Sequence, residues 1–147
     1  ALKINSDVTA TVVNSRMIKF EGVPEEVKTI KNQLQRAAAI TGGDPYIVNS
    51  WHTGINPNTF YKGDPYANLE QWGTVAFGSP RYTHIHCAGS DPGDVCLQVF
   101  DATITCDDQV IWDKGQFVFL DRPEIKAIWQ RDIGGIDIYS SSQSIGI

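Results

Sequence analysis

With 147 residues, 41% hydrophobic and 20% charged, the chain has the size and make-up of an ordinary globular domain, long enough to build a core without disulfide or metal staples. A net charge of −5 argues against a nucleic-acid partner, which needs a basic face. No apolar run approaches the roughly 20 residues that span a bilayer, so no membrane partner is expected.

In chain order, residues 1–20 read as two or three short strands. Val8, Thr9, Thr11, Val12 and Val13 are β-branched, and Asn14-Ser15 is a turn signal before Arg16–Phe20. Pro24 opens a helix over about 24–40, with Glu25 and Glu26 in its first turn, where the helix dipole favours them. Val27, Ile30, Leu34 and Ala37 or Ala38 recur at helical spacing, and Gly42-Gly43 ends it. Residues 44–94 are rich in Gly, Pro, Asn, Asp and aromatics, and read as long ordered loops with short strands at Tyr46–Val48 and Thr74–Phe77. Residues 95–120 read as a β-meander turning at Asp107-Asp108 and again at Asp113-Lys114-Gly115. A short helix over about 123–131 follows, with Ile125, Ile128 and Trp129 inward. The expected fold is α+β: a mixed, largely antiparallel sheet, one main helix, one short helix and long ordered loops. It forms a single domain over 1–139, with a Ser-rich flexible tail at 140–147. The chain starts at Ala1 and runs at once into Leu2 and Ile4, which suggests a processed product or part of a larger protein or complex.

The residues best suited to catalysis lie in the loop-rich half. His84 and His86 are two apart, so on a strand both imidazoles project from one face, an arrangement that suits one metal ion. His52 is the third histidine and sits in a Gly-Pro-aromatic setting, as either a third ligand or a general acid/base. Glu70 and Asp91 are candidate acid/base groups, with Asp94 and Asp101 as further carboxylates nearby in sequence. Gly78 followed after five residues by His84-Ile85-His86 resembles the opening of the cupin motif, although the Glu and the later His of that motif have no counterpart. Cys87, Cys96 and Cys106 are an odd number without zinc spacing, which fits a reducing, cytoplasmic setting.

A longer set of phrases resembles the C-terminal region of the leucyl aminopeptidase T and dihydroxypyridine dioxygenase superfamily. The phrases are Arg16–Gly22 with the helix after it, Gly54-Ile55-Asn56-Pro57, Gly73–Gly78 and His84-Ile85-His86. A hairpin over Asp107–Phe117 closes the series. In that superfamily the histidine strand reads His-x-Asp, so His86 stands where a carboxylate is expected. Ala76 stands where a His is expected, and Ser50 near an acidic ligand. The resemblance implies a divalent metal ion, iron or zinc, on a nitrogen-rich single-metal site of His84, His86 and His52. It also implies a further N-terminal part supplied by another domain or subunit. The expected function is a metal-dependent enzyme acting on a small, aromatic-type substrate, with oxygenase chemistry favoured over aminopeptidase chemistry because carboxylate ligands are missing. A homo-oligomer is expected. The alternative is a non-catalytic binding or assembly subunit that has lost the metal centre.

Overall fold

The computed structural model describes residues 2–56, 58–134 and 145. Its first hairpin joins β1 (Val8–Val13) to β2 (Arg16–Gly22) in antiparallel fashion. The turn residues Asn14 and Ser15 both take positive φ, 50° and 58°, the left-handed geometry whose twist matches that of the flanking strands. β2 pairs antiparallel with β3 (Asp44–Thr53) through Arg16 and Ile47, and Arg16 forms an ion pair with Asp44. β4 (Tyr82–Gly89) and β5 (Val95–Phe100) complete a five-stranded sheet in the order β1-β2-β3-β4-β5. The α+β expectation holds.

The main helix, α1, runs Pro24–Thr41. Pro24 supplies a fixed φ where no backbone donor is needed. Gly42 stops the helix in the left-handed region at φ 80°, its N–H donating to the Ala38 carbonyl at 2.7 Å. The periodicity read from the sequence is the packed face: Leu34 and Ala38 are buried, and Ile30 and Ala37 are partly so.

Two expected strands are corrected. Thr74–Phe77 is not a strand, because residues 69–76 form helix α2 (Leu69–Ala76). Asn68 caps it, accepting from the Gln71 N–H at 3.0 Å. Trp72 and Ala76, four apart, are both buried, and this i,i+4 pairing outweighs the strand preference of Thr74 and Val75. The meander is also shorter than read. β6 (Ile104–Cys106) and β7 (Gln109–Trp112) form a separate hairpin turning at Asp107 and Asp108, with φ 47° and 63°. The Phe117–Phe119 segment expected to continue it is instead drawn into a 3-10 turn, Val118–Asp121. Asp113 and Gln116 exchange backbone hydrogen bonds at 2.9 Å, closing the chain on itself. The Phe117 ring then stacks on Trp112 at 3.9 Å between centroids. α3 (Pro123–Ile133) follows. Ile125 and Trp129 are half-buried, but Ile128, expected inward, is 48% exposed.

The chain gathers into two compact units, residues 1–51 with 84–97 and residues 52–83 with 98–147. The core of the first is Met17, Leu34, Cys87, Ala88 and Val95. That of the second is Trp72, Ala76, Tyr82 and Ile145. There the Trp72 indole N–H donates to the Ile145 carbonyl at 2.6 Å, and Tyr82 meets Trp72 edge-on at 5.6 Å. Apart from Ile145, the tail expected at 140–147 lies outside the described residues. Among the described residues no helix is long and apolar enough to cross a membrane.

Leu34 is fully buried at the centre of the first core. Leu34→Ala removes buried methyl groups and leaves a cavity, at a cost of about 2–5 kcal/mol. Urea unfolding is expected to show the midpoint falling with the slope unchanged.

Candidate metal centre

β4 places its side chains alternately on the two faces of the sheet. Cys87 turns into the first core, fully buried, its thiol directed to the Val95 carbonyl at 3.6 Å. His84 and His86 occupy the alternate positions, and their rings meet edge-to-face at 5.1 Å between centroids. His52 comes from β3, the neighbouring strand in the sheet. Each of the three histidines offers one ring nitrogen, and these nitrogens all lie within 4.8 Å of one another. His84 is buried at 5% exposure, His86 is half-buried and His52 is exposed, so the group has a dry side and a wet side.

The separation tests whether an ion fits. Nitrogens bound to one tetrahedral zinc at about 2.1 Å lie roughly 3.4 Å apart. From separations of up to 4.8 Å, the nitrogens therefore need to close in by up to about 1.4 Å. No carboxylate or thiol joins the group among the described residues, so the donor set is three imidazoles. That set suits zinc, iron, copper or nickel.

Local backbone explains why the histidines stand where they do. Gly54 follows His52 by two residues, and a Cβ there would lie 2.1 Å from the Gly78 carbonyl carbon, so only glycine allows the close approach. Asn56 then anchors the loop, donating its N–H to the Gly78 carbonyl at 2.8 Å and accepting from the Asn58 N–H at 3.0 Å. In the turn after β4, Gly93 takes φ 113° and folds back against the backbone of His86 and Cys87. Both glycines belong to segments whose Gly-Asn and Gly-Asp content reads as turn chemistry.

The other candidates have different settings. Glu70 is exposed in the first turn of α2, where its charge favours the helix dipole, and lines an open groove with Asn68, Gln71 and Thr74. Asp91 is exposed in the turn after β4. Neither is a member of the histidine group. Asp94 accepts from the Ser90 N–H at 2.8 Å. Asp101 takes both arms of Arg81, at 2.7 and 2.8 Å. Sequence reasoning passed over Asn49, Thr53 and Thr83. The side-chain oxygens of all three are buried and have no hydrogen-bond partner among the described residues. Two of the three adjoin a histidine of the group, Thr53 beside His52 and Thr83 beside His84. Their only sequence signal is a hydroxyl residue next to a histidine within a strand.

Burial raises the Cys87 thiol to about 12, and the neighbouring Cys96 adds to the effect. The thiolate is the reactive form, so Cys87 stays protonated and inert at neutral and mildly alkaline pH. Cys96 and Cys106 are exposed. Thiol titration with Ellman's reagent at pH 8 is expected to count two reacting cysteines in the native protein and three after unfolding. Fast native reaction of Cys87, identified by peptide mapping, would contradict the buried placement. A scan against protein-family models, a search of curated proteins and a search of solved structures each return no match for this chain.

Proposed function

We propose that the chain is a metal-dependent enzyme domain in which His52, His84 and His86 hold one divalent ion, iron or zinc, and present it to a small substrate. The observation that carries this reading is the convergence of all three histidines of the chain, drawn from two neighbouring strands, to within 4.8 Å. Three protein ligands leave a position for an exchangeable one, the pattern of a catalytic site; structural sites are closed. A bound ion supplies Lewis-acid or redox chemistry there. His84 and His86 fix its place from the rigid strand, and the exposed His52 completes the set on the side that substrate reaches.

Oxygenase-type chemistry is favoured over peptide hydrolysis. Two-metal hydrolysis needs carboxylates to bridge the ions, and none joins the group among the described residues. The resemblance to the dihydroxypyridine dioxygenase branch supports the same choice. The reading includes a homo-oligomer, or a further domain or subunit that supplies what the resembled superfamily carries ahead of this region. The second reading, a binding or assembly subunit that has lost catalysis, is favoured by His86 standing at a position where the superfamily has a carboxylate.

Elemental analysis of protein purified without chelator tests the first reading against the second. One iron or zinc per chain is expected. His84→Ala and His86→Ala are each expected to weaken metal affinity by at least about tenfold, with circular dichroism unchanged. Wild type free of metal after incubation with each ion, or stoichiometry unchanged in both variants, would leave the assembly reading.

A further inference from the structure

The histidine group has a property that its geometry alone does not reveal: it carries no negative charge. Imidazole binds a metal as a neutral ligand. A divalent ion held by His52, His84 and His86 therefore keeps a charge of about +2, whereas a site of two histidines and one carboxylate leaves about +1. No acidic or thiol side chain among the described residues joins the group. Asp94 and Asp101, the carboxylates that sequence placed nearby, are engaged by Ser90 and by Arg81. From this charge count we infer that the exchangeable position takes a small anion, a carboxylate or hydrogencarbonate, in preference to a neutral ligand. The inference rests on the metal reading above and narrows its substrate to an anionic one.

Three features support it. Attraction between the centre and an anion scales with the charge of the centre, so the missing carboxylate roughly doubles it. His84 is 5% exposed and His86 half-buried, which removes water from one side and weakens dielectric screening of that attraction. His52 is exposed, which leaves the other side open for a solvated anion to enter. The net charge of −5 works in the opposite direction. That charge is spread over the chain, and salt screens it beyond about 8 Å at physiological ionic strength. The ion in direct contact dominates.

The test uses the full chain loaded with cobalt(II), whose visible absorption reports its ligands. Calorimetry first establishes one cobalt per chain. Azide and acetate are then titrated in, with methanol as a neutral probe. A saturable change with both anions, no change with methanol, and cobalt retained on dialysis are the expected results. His52→Glu brings one negative charge into the donor set, and azide affinity is expected to fall by at least about tenfold while cobalt stays bound. His52→Gln removes the same imidazole without adding charge and is the comparison: at saturating cobalt its azide affinity is expected to exceed that of His52→Glu by at least about tenfold. A cobalt spectrum unmoved by large excesses of azide and acetate overturns the anion inference and leaves the metal reading standing. Equal azide affinity in wild type and His52→Glu also overturns it. Failure of the wild-type chain to take up cobalt, zinc or iron overturns the metal reading itself, and the anion inference with it.

Discussion

The alternation of side chains along residues 82–87 of β4 is the constraint on which the rest depends. The β period of two sends Cys87 into the first core and puts His84 and His86 together on alternate positions. A slip of one residue would exchange the two sets, burying imidazoles among Met17, Leu34 and Val95 and exposing the thiol. The cost of stranding imidazoles without partners in an apolar core ties the strand's register to the site's composition. One stretch of eight residues thus supplies part of the first core and two of the three histidines of the candidate centre. Gly93 closes against this stretch from one side, and β3 brings His52 from the neighbouring position in the sheet.

In the proposed reading, the all-imidazole donor set would set the group's chemistry apart from the carboxylate-bridged kind. A bridging carboxylate both binds a second ion and neutralises the first. Its absence among the described residues supports the proposed centre for one ion and for ligands that bring their own negative charge. Buried Thr53 and Thr83 oxygens next to two of the histidines place further polar atoms close to the group in the chain. An orphaned buried hydroxyl is costly unless something satisfies it.

How much of this was legible in the sequence follows from which forces decided each part. Helix α1 was readable because its start, stop and packed face are all local: Pro24, Gly42, and Leu34 with Ala38 at helical spacing. The Asn14-Ser15 and Asp107-Asp108 turns were readable for the same reason. Helix α2 was not, because Thr74 and Val75 favour strand locally while the burial of Trp72 and Ala76 decides the matter over longer range. The 3-10 turn after Gln116 was hidden likewise, since it follows from the Trp112–Phe117 stack, a tertiary contact. At the candidate centre, the His84–His86 pair was visible from strand periodicity alone. That His52 joins it could only be supposed, since the sequence does not say which strand lies beside which.

The group draws its members from places far apart in the chain. His52 and His84 are separated by 32 positions, and the intervening segment holds the Gly54–Asn56 turn, the exposed aromatics Phe60 and Tyr66, and all of α2. On the proposed metal reading, an ion bound to both strands would therefore be a removable cross-link. It would tie the two ends of that segment together in the folded chain and stabilise the closed form by mass action. On the same reading, occupancy of the centre and resistance of the intervening segment to local opening would become one equilibrium, and the supply of metal would tune the rigidity of the loop that flanks the site.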